Sequence, residues 1–77
     1  MFLEIITPDK KLFSGEVTSV QVSGTSGQFT VLNNHAPIIS TLDKGKVKVK
    51  SPSGEQLFDI NGGVIEVFKN KIIVLAE

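Results

Sequence analysis

His35 is the only histidine in the chain, so a nucleophile-and-base hydrolase or transferase would have to be built around it. Ser14 and Ser40 are hydroxyls that a base could activate, yet no second histidine exists to serve either of them. There is no Cys, which removes thiolate ligands, thiol nucleophiles and disulfides together, and one His cannot assemble a multi-histidine metal cluster. Two glycine runs, Gly24-Thr25-Ser26-Gly27 and Asn61-Gly62-Gly63, invite a phosphate-loop reading. A phosphate cradle needs a helix N-terminus and usually a following Lys with Ser or Thr, whereas both runs pass into β-type sequence and read as turns. Phe2, Phe13, Phe29, Phe58 and Phe68 could stack on nucleotide bases in a small single-stranded nucleic-acid-binding barrel. With eight Lys, no Arg and zero formal net charge, the rings serve core filling better than a nucleic-acid platform. A swinging-arm carrier domain of the biotinyl or lipoyl kind needs a lysine at a hairpin tip, and Lys44 in Asp43-Lys44-Gly45 imitates it poorly. What remains is Asn33-Asn34-His35-Ala36-Pro37, a turn-forming run ahead of a strand-like Ile38-Ile39. It reads either as a turn whose Asn side chains bond backbone amides or as a binding loop.

The elements that must carry these residues are strands. Val, Ile and Thr make up 22 of the 77 residues, and β-branched side chains suit a pleated surface better than a helix. Pro8, Gly15, Gly24, Gly27, Pro37, Gly45, Pro52, Gly54, Gly62 and Gly63 interrupt the chain too often for a helix of average length. Strand-sized pieces lie between them at 2–6, 16–23, 28–32, 38–42, 46–50, 56–60, 64–68 and 71–75. Turn chemistry joins them at Pro8-Asp9-Lys10, at Ser51-Pro52-Ser53-Gly54 and at Lys69-Asn70-Lys71, where Asn suits a left-handed residue. Gly15, Pro37, Gly62 and Gly63 are expected as structural turn positions. The pattern predicts one all-β domain over 1–77, a small β-sandwich of about eight to ten mostly antiparallel strands.

A chain this short buries only ~60–65% of its unfolded surface, so its margin of stability is thin and a permanent partner would support it. No apolar run approaches the ~20 residues of a membrane-spanning helix, and the Met-Phe-Leu-Glu start lacks the basic head of a secretory signal, so a soluble cytoplasmic chain is expected. Between 46 and 50, Val47 and Val49 face one way while Lys46, Lys48 and Lys50 face the other. Those lysines form either a solvated face that deters edge aggregation or a contact for an acidic partner. Along 16–23 the alternation of Val20 and Val22 would bring Thr18, not Val17, onto their face, which implies a bulge or burial on both faces. Ile72 to Ala76 is continuously apolar, as in a strand covered on both sides or lying at an interface.

The ordered series Leu12-Phe13-Ser14-Gly15-Glu16-Val17, Val20-Gln21-Val22-Ser23-Gly24, Gly27 to Leu32, His35-Ala36-Pro37, Gly62-Gly63-Val64-Ile65-Glu66-Val67 and Ile73-Val74-Leu75-Ala76 resembles the N-terminal domain of the epsilon subunit of F-type ATP synthase. Each piece alone is weak. Their order and spacing, running almost from end to end, are specific.

The resemblance implies a non-catalytic β-sandwich in the central stalk, bound to the gamma subunit and seated on the c-ring, where it helps transmit ion-driven rotation to the subunits that make ATP. It implies no cofactor, a peripheral position at the cytoplasmic face of a bacterial plasma membrane, and an isolated domain that is monomeric. By the same resemblance Ser26, Gly27, Gln28, Asn34 and His35 lie toward the c-ring, and Lys46, Lys48 and Ile73 are candidates for the gamma contact. Many family members carry an acid where this chain has Gln28, which points to hydrogen bonding with polar ring loops in place of a charge pair. Many also continue beyond the Val-Leu-Ala segment into two C-terminal helices that can inhibit ATP hydrolysis. This sequence stops at Glu77, so the helical hairpin is absent from it, and neither latch-type inhibition nor ATP binding is expected. A naturally short subunit and a trimmed one would read alike.

Overall fold

The computed structural model describes residues 1–77 and contains nine strands and no helix. They are β1 (Phe2–Ile6), β2 (Lys11–Glu16), β3 (Ser19–Gly24), β4 (Gly27–Leu32), β5 (Ile38–Leu42), β6 (Gly45–Ser51), β7 (Gly54–Ile60), β8 (Gly63–Phe68) and β9 (Lys71–Ala76). The all-β class and the number of strands agree with the sequence reading, but β2 is not among the eight segments expected there. Hairpins join β1 to β2, β3 to β4, β6 to β7 and β8 to β9, all antiparallel, while β1 runs parallel to β9.

Pairing runs in the order β2-β1-β9-β8-β5-β3-β6-β7, with β4 on the other side of β3. The link between β5 and β3 is a single pair, Gly24 with Leu42. The sheet therefore curls into a half-barrel with two layers, β2-β1-β9-β8-β5 against β4-β3-β6-β7. Between them lies a core of 16 apolar residues, of which Leu3, Ile5, Val20, Val31, Val47, Ile65, Ile72 and Val74 are wholly buried. Each such side chain contributes about 1.5–3 kcal/mol relative to an exposed one.

The expected continuous strand over 16–23 is corrected by the structure. β2 ends at Glu16 in one layer and β3 begins at Ser19 in the other. The N–H of Val17 donates to Met1 O at 2.9 Å within the first layer, and the N–H of Thr18 donates to Lys50 O at 2.8 Å within the second. The slip in alternation marks the point where the chain changes layers, a bend that turns a corner of the sandwich.

Gly15, expected at a turn, instead pairs with Leu3 inside β2. It marks no change of direction, and a Cβ there would meet only the Phe13 ring, at an ordinary contact distance of 3.6 Å. Pro37 lies in the connection just ahead of β5, and Gly62 and Gly63 bridge β7 to β8 with φ of +133° and +148°. At Gly63 a Cβ would overlap the Leu75 carbonyl oxygen and sit 3.0 Å from the Ala76 Cα, so backbone approach and φ both demand glycine there. The Lys69-Asn70 tip of the β8–β9 hairpin has φ of 50° and 61°, the two left-handed residues of a type I′ turn.

Candidate functional site

His35 is held by the backbone of its own turn. Its N–H donates to Leu32 O at 3.1 Å, and its ring Nδ1 lies 2.7 Å from Ala36 O, a carbonyl that accepts the ring proton. The Ser40 hydroxyl donates to Thr41 O at 3.1 Å, so its bond goes to its own strand. The turn is tied down from both sides. The Asn33 Oδ1 accepts from the Met1 ammonium at 3.2 Å, and the N–H of Asn34, a residue with φ of 62°, donates to Asn70 Oδ1 at 2.8 Å.

Ser26, Gly27 and Gln28 occupy the β3–β4 turn and the start of β4, whereas Asn34 and His35 follow the far end of that strand. A six-residue strand is about 17 Å long, so the two groups form no single pocket. They flank the free edge of β4, which pairs only with β3. From Gly27 through Pro37 this edge carries no Asp, Glu, Lys or Arg, and Gln28, Thr30, Leu32, Asn33 and Asn34 are exposed along it. The result is an elongated ridge of amides, hydroxyls and one leucine.

Lys46 and Lys48 lie on the outer face of the second layer, opposite to their buried neighbours Val47 and Val49. Lys46 Nζ is 2.7 Å from Asp59 Oδ1 and Lys50 pairs more loosely with Glu55 at 4.0 Å, which makes this a polar, internally paired surface. Lys44 sits where the chain passes from β5 in one layer to β6 in the other, and so not at a hairpin tip.

Ile73 faces the other way. On β9, Ile72, Val74 and Ala76 enter the core while Ile73 and Leu75 point outward from the first layer. Lys46, Lys48 and Ile73 therefore cannot belong to one contact patch. Register aligns the outward residues into rows: Glu4, Ile73, Glu66 and Ile39 in one, and Ile6, Leu75, Val64 and Thr41 in the next. Ile39 is 72% exposed, and Phe68 and Leu75 are each 54% exposed. Two shallow depressions mark this face. One, of about 490 Å³, is lined by Pro37, Ile38, Ile39, Glu66, Val67 and Phe68. The other, of about 270 Å³, is lined by Ile6, Val64, Glu66, Ile73 and Leu75.

Ile39, Val64 and Glu66 carry no contact assignment from sequence, and Phe68, expected with the other rings to fill the core, is instead 54% exposed on this face. Apolar residues fill both phases of β9 from Ile72 to Ala76, and on β8 only Glu66 breaks the apolar run, so alternation marks the outer row weakly. By contrast, Phe13, Phe29 and Phe58 pack against the core, as core filling predicts.

An apolar face on one layer, a polar face on the other and an uncharged free edge describe a domain equipped for docking. The ATP synthase epsilon chain of Caulobacter vibrioides is 44% identical to this chain over 77 residues, covering 100% of this chain and 90% of the relative. The epsilon chain of Chlorobium limicola is 47% identical over 76 residues, covering 97% of this chain and 86% of the relative. Among solved structures, a chain of the Euglena gracilis mitochondrial ATP synthase OSCP/F1/c-ring assembly superposes with a TM-score of 0.89 at 21% identity, covering 96% of this chain and 48% of that one, a likeness of fold. Residues 1–77 match the family described as ATP synthase, Delta/Epsilon chain, beta-sandwich domain, and the chain belongs to that family.

Proposed function

We propose that this domain is a non-catalytic central-stalk subunit of an F-type proton-transporting ATP synthase, linking the gamma subunit to the c-ring so that ion translocation drives ATP synthesis. The observation that carries the reading is the outward face of the β2-β1-β9-β8-β5 layer, where Ile39, Phe68 and Leu75 are more than half exposed beside Ile6, Val64 and Ile73. Apolar surface concentrated on one face of a small domain marks a protein contact, and a permanent one would also raise the stability of so small a core. We assign this face to gamma. The β4 edge, with Ser26, Gly27, Gln28, Asn34 and His35 at its two ends, is assigned to the c-ring, whose polar loops its amides and backbone can meet by hydrogen bonding. Lys46 and Lys48, on the opposite layer, are thereby left outside the gamma contact. In a bacterium the assembled subunit would sit at the cytoplasmic face of the plasma membrane, peripheral to it.

Adding the purified chain to an F-type complex stripped of epsilon tests the proposal. Proton-driven ATP synthesis should recover, and the chain should co-purify with gamma. Recovery by Lys48→Glu but not by Leu75→Asp would match the assignment of faces. A chain that neither binds gamma nor restores coupling would dismiss the proposed role.

A further inference from the structure

From the position of one carboxylate on this face, we infer that Glu66 receives a lysine or arginine of gamma that is flanked on both sides by large aliphatic side chains. This rests on the docking of gamma to that face. Glu66 lines both depressions and is the only charged residue in either lining. Its neighbours across the two ladders are Ile73 and Ile39.

No group of the domain pairs with it. The ion pairs formed are Met1 ammonium with Glu16, Lys11 with Glu4, Lys46 with Asp59 and Lys50 with Glu55. Glu4, the other acid in the same row, is thus taken by Lys11 at 3.0 Å. The two cations of the nearby hairpin go to aromatic rings, Lys69 to Phe68 at 5.4 Å and Lys71 to Phe2 at 6.0 Å.

In the free domain water solvates the Glu66 carboxylate. A partner that covered the surrounding isoleucines would strip that water, and a carboxylate left covered without a counter-charge opposes binding strongly. The occupant must bring a cation, and the apolar depressions on either side of Glu66 take the aliphatic residues that flank it. The same acid rejects partners that would lay a purely apolar or acidic strip across the face, so it selects the partner as well as holding it.

The test measures binding to gamma within the epsilon-depleted complex, for the parent chain and for Glu66→Gln, Glu66→Lys, Ile39→Asp and Leu75→Asp. The Glu66 side chain is exposed, and thermal melting of each free variant confirms that it is folded. Glu66→Gln should weaken binding by roughly 30-fold or more, the usual cost of removing one member of a covered charge pair. Glu66→Lys should abolish it. Parent affinity should fall more steeply with added salt than that of Glu66→Gln. If Ile39→Asp and Leu75→Asp abolish binding while Glu66→Gln matches the parent, gamma docks here by apolar contact alone and the cation is refuted. If Ile39→Asp and Leu75→Asp bind normally, the face itself is misassigned and the inference falls with it.

Discussion

Phe13 on β2 and Phe58 on β7 meet edge to face, their ring centroids 5.8 Å apart and their planes at 66°. These strands end the sheet order at opposite extremes, so no backbone pairing joins them. The aromatic contact closes the side of the half-barrel that hydrogen bonding leaves open.

Either Phe13→Ala or Phe58→Ala should therefore destabilise the domain by about 2–3 kcal/mol, below the ~3–5 kcal/mol of a fully buried Phe because both rings are half-buried. The double variant should lose less than the sum of the two, by roughly 0.5–1.5 kcal/mol, as expected for a direct aromatic pair. Denaturant unfolding of the parent, the single variants and the double variant measures that coupling, and strict additivity would show that the rings stabilise their own strands separately.

The Lys69-Asn70 hairpin and the one-sided lysine face of β6 were legible in the sequence because each depends on local chemistry, a left-handed tip or a strict alternation of Val and Lys. The exchange of layers at Val17-Thr18 left a trace as a slip in period. Its meaning was not legible, since alternation records which face is buried and not which sheet buries it. The parallel pairing of β1 with β9 joins residues about 70 positions apart and has no local signature at all. The surfaces proposed as contacts were half legible. Sequence pointed to Ile73 and to the segments at both ends of β4, but Glu66 and Ile39 became meaningful only when register set them in one row with Ile73.

Two glycines that look alike in sequence should respond in opposite ways. Gly63→Val forces a β-branched residue to φ of +148° and into the Leu75 carbonyl, so the chain should fail to fold or lose most of its melting transition. Gly15→Ala meets only the Phe13 ring at ordinary contact distance in extended backbone. It should be neutral, or more stable by up to ~1 kcal/mol through reduced freedom of the unfolded chain. Thermal melts side by side decide the matter, and a normal melt for Gly63→Val would refute the backbone constraint.

Asn70 ties three segments together. Its carbonyl accepts from the Phe2 N–H at 3.2 Å, its Oδ1 accepts from the Asn34 N–H at 2.8 Å, and its own φ is 61°. Asn70→Gly keeps the left-handed geometry and loses the side-chain acceptor, for an expected cost of about 1 kcal/mol. Asn70→Ala loses the acceptor and adds left-handed strain of roughly 1–2 kcal/mol. The order of stability should be Asn, then Gly, then Ala. Amide exchange at Asn34 should quicken in both variants, and unchanged exchange would mean that the 33–37 turn is held without Asn70.

The β4 edge makes the last separation, between holding the fold and holding a partner. The His35 ring bonds to the carbonyl of the adjacent Ala36 and sits outside the 16-residue core, so His35→Ala removes one local bond. The isolated domain should lose no more than about 1 kcal/mol by denaturant unfolding. On an assembled complex the same variant should retain the chain at least tenfold less well, because the turn and its half-buried ring belong to the surface assigned to the c-ring. Gln28→Ala, at the other end of the strand, should reproduce the assembly defect with no loss of stability, since Gln28 is exposed and takes no part in the core. Introducing Lys at Thr30, midway along the edge, should impair seating as well, since an edge lysine blocks strand-edge contacts. If Gln28→Ala and Thr30→Lys leave assembly intact and His35→Ala reduces assembly only in proportion to stability, the edge is bare surface and His35 is a turn residue alone.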